Sequence, residues 1–134
     1  MNIGSPDYGG AEGVLGIGVD LAEVPRFRGL DHRTVGHFLT SREIEEVFAR
    51  EEPAPTLAGR FAAKEAVIKA LGTAFPASRL FYHDIVIDHL DSGAPQASVT
   101  GIDAGNIQIL LSISHTAELA IAFAMVVQRD DRHG

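Results

Sequence analysis

Asp20, Glu65 and Lys69 are the residues whose types and positions could together do chemistry. Asp20 closes the apolar run 14–20 (VLGIGVD), whose Gly16 and Gly18 predict close approach of another backbone. Glu65 and Lys69 stand four residues apart in segment 57–71 (LAGRFAAKEAVIKAL), which reads as a helix. At about 100° per residue, Glu65 falls within the stripe made by Ala58, Phe61, Ala62 and Ile68, and Lys69 lies one turn further along. A carboxylate on that stripe is costly unless it is paired or binds a cation. The plain alternative is an i, i+4 Glu65–Lys69 pair, worth about 0.2–0.5 kcal/mol on an exposed helix. Two carboxylates and waters are a usual way to hold Mg²⁺, with substrate phosphates completing the octahedron. Arg60, Lys64 and Lys69 offer cations for those phosphates. Metal-holding carboxylates beside phosphate-binding cations suggest phosphoryl-type chemistry.

Ser112, Ser114, His115 and Thr116 end a later strand. Neighbouring side chains on a strand point to opposite faces, so Ser114 and His115 do not make a nucleophile–base pair. His115 reads as a phosphate or substrate contact or as a structural histidine. His32, His37, His83, His89 and His133 lack ligand spacing and read as surface residues. Phe38, Phe48, Phe75 and Phe81 read as core.

These residues need a scaffold. A short helix starting near Pro25 is expected after the first strand. Thr40 and Glu43 have capping-box spacing, and Leu39 with Ile44 would staple the helix that begins there. Pro53 and Pro55 are expected to end it, and Gly72 sits where the following helix would have its C-cap glycine. Segments 84–89, 96–100, 107–114 and 119–128 are β-like, with Asp91-Ser92-Gly93 as a hairpin loop between the first two. One strand, then helices, then a run of strands predicts an α+β domain with helices packed on a mostly antiparallel sheet.

The chain has 134 residues, no Cys and a net charge of −7. That length fits one domain, and the missing Cys excludes disulfides and Cys-ligated metal. The acidic balance argues against broad nucleic-acid binding. Arg26, Arg28 and Arg33 nevertheless fall close together, a small basic patch suited to an anionic ligand or an acidic partner. No apolar run is long enough to span a bilayer and residues 1–13 do not read as a signal peptide, so a cytoplasmic protein is expected. Residues 1–13 read as a disordered extension, 14–129 as the folded domain and 130–134 as a frayed tail.

Three segments carry a family resemblance. Gly16-Ile17-Gly18-Val19-Asp20, with Arg26 six residues on, resembles the first signature of the holo-(acyl-carrier-protein) synthases. Arg60-Phe61-Ala62-Ala63-Lys64-Glu65-Ala66, with Lys69 and Gly72, resembles the second, and Ser112-Ile113-Ser114-His115-Thr116 the third. The likeness runs from about residue 15 to 127, nearly the whole chain.

The resemblance implies the single-domain form of the 4′-phosphopantetheinyl transferase fold. It also implies transfer of phosphopantetheine from coenzyme A to a serine of an apo acyl carrier protein, of fatty-acid or polyketide type. By the same resemblance, the enzyme is a homotrimer with coenzyme A bound between subunits. Asp20 and Glu65 would hold Mg²⁺, and Lys69 would contact the transferring phosphate. Arg60, Lys64, Gly72, Pro95, His115 and Thr116 would line the coenzyme A site. Arg26, Arg28 and Arg33, on the first helix, would meet the acidic carrier. Ala94 before Pro95, and Ala117 after Thr116, depart from the basic residues many relatives carry there. Two other functions use part of the same set: Mg²⁺-dependent hydrolysis of a nucleotide pyrophosphate, and non-catalytic binding of a carrier protein.

Overall fold

The first strand, β1 (Val14–Glu23), has its large residues on the side opposite the core. Ile17, Val19 and Leu21 are exposed while Gly16, Gly18 and Ala22 are buried. The last strand repeats the pattern: Leu119, Ile121 and Phe123 are exposed, and Ala120, Ala122, Ala124 and Val126 are buried. With strands numbered in chain order, β1, β4 (Ile107–His115) and β5 (Leu119–Gln128) form an antiparallel sheet ordered β1-β5-β4. Its register aligns Asp20 with Ala122 and Ile113, and Gly18 with Ala124 and Leu111. This computed structural model describes residues 13–103 and 105–129. Apart from Gly13, the N-terminal extension and the C-terminal tail expected from sequence lie outside the described residues.

The side of the sheet that carries small residues lets a helix lie unusually close. That helix, α3 (Pro53–Ala74), crosses the glycines of β1 so tightly that a Cβ on Gly16 would sit 2.1 Å from the Ala70 carbonyl oxygen. At Gly18 the obstacle is the Ala66 carbonyl oxygen, at 2.2 Å. The close approach predicted from the glycines is therefore to α3. Gly18→Ala must part strand from helix, because neither atom is a side chain that can turn away. Overpacking of this kind costs about 1–3 kcal/mol and occasionally more. Urea denaturation should show a loss of at least the upper part of that range, and a loss of a few tenths of a kcal/mol would contradict the packing described.

Before α3 come a 3-10 turn (Val24–Phe27), α1 (His32–Val35) and α2 (Ser41–Phe48). The expected capping box is present: Thr40 Oγ1 accepts from the Glu43 amide at 3.3 Å and Glu43 Oε1 accepts from the Thr40 amide at 2.7 Å. Leu39 and Ile44 join Val35, Phe38, Val47 and Leu57 in a second, smaller core. The stretch expected to form one helix near Pro25 is instead shorter and split. Arg26 lies in the 3-10 turn, Arg28 follows it in extended backbone, and Arg33 lies in α1. Glu23 has already been drawn into β1 by pairing with Leu119.

Two further expectations are corrected at α3. Pro53 and Pro55 do not simply end α2; they form the first turn of α3, where a missing N–H costs nothing because it would have had no intrahelical acceptor. Gly72 is not the C-cap but a helical residue, since packing against β1 carries the helix on to Ala74 and Phe75 caps it. The remaining strands, β2 (Ile85–His89) and β3 (Pro95–Val99), form the expected antiparallel hairpin, with Gly93 at φ +88° in its loop. Phe38, Phe48 and Phe75 pack into the two cores as expected, but Phe81 is 75% exposed. No helix among the described residues is long and apolar enough to cross a membrane.

Candidate active site

Close contact between β1 and α3 brings Asp20 to Lys69. The Lys69 ammonium donates to Asp20 Oδ1 at 2.9 Å and to the Val19 carbonyl at 3.1 Å. The Asp20 side chain is 18% exposed and that of Lys69 51% exposed, so the pair borders solvent. Glu65, one turn before Lys69, is half-buried and accepts a hydrogen bond from the Tyr82 hydroxyl rather than pairing with Lys69. That bond, followed by burial and the charges of Glu65 and Asp20, pushes the Tyr82 phenol up to about 12. Gly72 follows two turns after Glu65, about 20° away on the wheel, with open space where a side chain would be. One side of α3 thus presents a carboxylate, an ammonium and bare backbone beside Asp20.

No group of three or more His, Cys, Asp or Glu that could hold a metal occurs among the described residues. Two carboxylates remain a suitable donor set for Mg²⁺, a hard cation that keeps several waters and takes its other ligands from substrate phosphates.

A second group forms elsewhere. Arg60 is buried, and its guanidinium donates to the Ile87 carbonyl at 2.6 Å and to Glu46 Oε2 at 3.3 Å. Its Nη2 also lies 3.3 Å from His89 Nδ1. A cleft of about 190 Å³ opens here, lined by Arg50, Thr56, Arg60, His89, Pro95 and His115 among others. His115 is in register with Ala120, whose side chain faces α3, so it lies on the face of the sheet opposite Ser114. Burial, then the Arg60 and Arg50 charges, hold His89 below its ordinary value. With Arg50 and Arg60 in its lining, the cleft is suited to an anionic group. Thr116 sits at the β4–β5 turn, where its hydroxyl oxygen accepts from the Glu118 and Leu119 amides at 3.2 and 3.1 Å.

Arg60 and Glu65 are five residues apart, hence about 140° apart around α3. In one chain, the Asp20–Glu65–Lys69 group and the Arg60–Pro95–His115 group therefore look in different directions.

Lys64 belongs to neither group. The expectation that it lines a coenzyme A site fails because its side chain is 0% exposed. Its ammonium donates to Glu43 Oε1 at 2.8 Å and to the Tyr82 carbonyl at 3.1 Å. Burial lowers the Lys64 value and Glu43 opposes that shift. The wheel placed the expensive charge at Glu65, but α3 is enclosed on several sides and the deeply buried charge is its neighbour.

Sequence reading missed Tyr82, Glu43 as a buried counter-ion, Glu46, and Arg50 with His89 in the cleft. Only Glu43 carried a local signal, its place in the capping box. Arg26, Arg28 and Arg33 are exposed, and none is in an ion pair among the described residues. Arg28 also borders a larger apolar cleft of about 490 Å³ that includes Phe27, Leu30, Phe48, Pro53 and Ala117.

Residues 16–124 match the 4′-phosphopantetheinyl transferase superfamily. Over 124 residues the chain is 43% identical to the holo-[acyl-carrier-protein] synthase of Desulforudis audaxviator, covering 85% of this chain and 93% of that one. It is 39% identical over 114 residues to that of Chlorobaculum parvum, covering 82% and 96%. Among solved structures, the holo-(acyl-carrier-protein) synthase of Bacillus anthracis in complex with CoA (3′,5′-ADP) superposes with a TM-score of 0.74 at 30% identity, covering 87% of this chain and 98% of that one. The Helicobacter pylori enzyme in complex with coenzyme A gives 0.69 at 31% identity, covering 82% and 98%. With its three signatures falling at the β1–α3 contact and the end of β4, the chain belongs to the holo-(acyl-carrier-protein) synthases of the 4′-phosphopantetheinyl transferase superfamily.

Proposed function

We propose that this chain transfers 4′-phosphopantetheine from coenzyme A to a serine of an apo acyl carrier protein, releasing adenosine 3′,5′-bisphosphate. The observation that carries the reading is the Asp20–Lys69 pair at the glycine-lined contact of β1 with α3, with Glu65 one helical turn before Lys69. The serine oxygen attacks the phosphorus that bears the pantetheine arm, and the bond from that phosphorus to the oxygen of the adenosine phosphate breaks. Lys69 neutralises charge that develops on the phosphate oxygens. The serine proton passes to Glu65, directly or through a water. Asp20 and Glu65 would hold Mg²⁺, which when bound supplies charge neutralisation on the pyrophosphate. The cleft lined by Arg50, Arg60, His89, Pro95 and His115 suits an anionic part of coenzyme A, with Thr116 following His115 in the chain.

Because the two groups look in different directions, a bound coenzyme A would draw on one group from each of two chains. The exposed Ile17, Val19, Leu21, Ile121 and Phe123 make an apolar sheet face that supports such assembly, which we place as a homotrimer in the cytoplasm. Sedimentation at the monomer mass, with coenzyme A present, would remove this part of the reading.

The carrier would dock near Arg26, Arg28 and Arg33, whose exposed charges complement an acidic helix, with apolar contact at the cleft beside Arg28. The testing experiment is intact mass spectrometry of apo carriers of fatty-acid and polyketide type, incubated with the chain, coenzyme A and Mg²⁺. One phosphopantetheinyl increment that disappears with chelator is the expected result. Unmodified carriers despite bound coenzyme A would defeat it. Reversing Arg26 and Arg28 to Glu should raise KM for the carrier about tenfold or more while leaving coenzyme A binding unchanged. A pyrophosphate hydrolase would release adenosine 3′,5′-bisphosphate without any carrier and would be indifferent to that reversal.

A further inference from the structure

We infer that Tyr82 is a positioning residue for Glu65, fixing its carboxylate for the divalent cation, an inference that rests on the proposed transferase reading. The Tyr82 hydroxyl donates to Glu65 Oε1. Among the described residues, Glu65 Oε2 takes no hydrogen bond and stays available. A glutamate free to rotate would have to be ordered each time a cation binds, and a standing hydrogen bond removes that requirement.

Tyr82 is itself anchored, which separates this contact from an incidental one between surface residues. Its carbonyl accepts from the buried Lys64 ammonium at 3.1 Å. Its ring packs on Phe61, with centroids 5.7 Å apart. It opens a 3-10 turn (Tyr82–Asp84) that Asp84 closes by accepting from the Phe81 amide at 2.8 Å. Lys64 and Glu65, consecutive on α3, thus grip one tyrosine at its two ends. The buried Glu43–Lys64 pair fixes where the tyrosine backbone lies, and the hydroxyl carries that order to the site.

Tyr82→Phe keeps the ring and its packing on Phe61 and removes only the hydroxyl. The full chain, its Tyr82→Phe variant and its Glu65→Gln variant would be titrated with Mn²⁺ in the presence of coenzyme A. Binding would be followed by loss of the free-ion spin-resonance signal. The Tyr82→Phe variant should bind Mn²⁺ about tenfold more weakly, with unchanged melting midpoint, coenzyme A affinity and KM for the carrier. Its transfer rate should recover towards that of the unmodified chain at saturating Mn²⁺. Equal Mn²⁺ affinity in the two chains overturns the inference. So does a loss of affinity that comes with a matching fall in melting midpoint and coenzyme A binding, because the hydroxyl would then be structural. Unmodified chain that binds no Mn²⁺, or a Glu65→Gln variant that binds it normally, defeats the metal assignment itself and the inference with it.

Discussion

Glu65→Gln is expected to leave the chain folded and to lower phosphopantetheine transfer by about 10²- to 10³-fold, the scale seen when a preorganised electrostatic group is removed. The substitution preserves shape, and an amide oxygen can still accept from the Tyr82 hydroxyl. What disappears is a negative charge beside Asp20 and Lys69. Glu65 is half-buried at the side of α3 and takes no part in either core, so removing its charge leaves packing unchanged. Carrier modification followed by mass spectrometry, alongside thermal melting, checks both halves of the expectation. Transfer within a few-fold of the unmodified chain would withdraw Glu65 from the site.

Lys64→Met is expected to do the reverse, damaging the fold rather than the chemistry directly. The ammonium is sealed between α2, α3 and the start of the hairpin segment, 2.8 Å from Glu43 and 3.1 Å from the Tyr82 carbonyl. Breaking a buried ion pair by removing one partner costs about 3–5 kcal/mol, because the other charge stays buried without compensation. Glu43 would keep its bonds from the Thr40 amide at 2.7 Å and the Ile87 amide at 2.8 Å but lose its only cation among the described residues. Urea denaturation should show the midpoint falling with little change in slope. Adding Glu43→Met should recover only part of the loss, since the two amides then lose their acceptor. A drop below about 1 kcal/mol for Lys64→Met would mean that water reaches the pair and screens it.

These two neighbours on one helix show where sequence and tertiary structure divide. Thr40 and Glu43 could be read as a capping box because the motif is satisfied within four residues. The five strands were legible to within a few residues, since alternation and turn chemistry are local. The glycines at 16 and 18 announced a close approach, and Asp20, Glu65 and Lys69 announced phosphate chemistry through residue type and resemblance to a family. The partner of each group was a different matter. Whether Pro53 ends one helix or begins the next depends on what the following residues pack against. Lys64 rather than Glu65 carries the deeply buried charge because elements far apart in the chain enclose α3 on several sides, which a single-stripe wheel does not represent. Tyr82 reaches Glu65, and Arg60 reaches His89, across separations of 17 and 29 residues. The strands, the Thr40–Glu43 cap and the residue types of the site are therefore legible in the chain, each being a property of a short stretch. Which charges are sealed and which face solvent came from the tertiary fold, because burial depends on distances between residues remote in sequence.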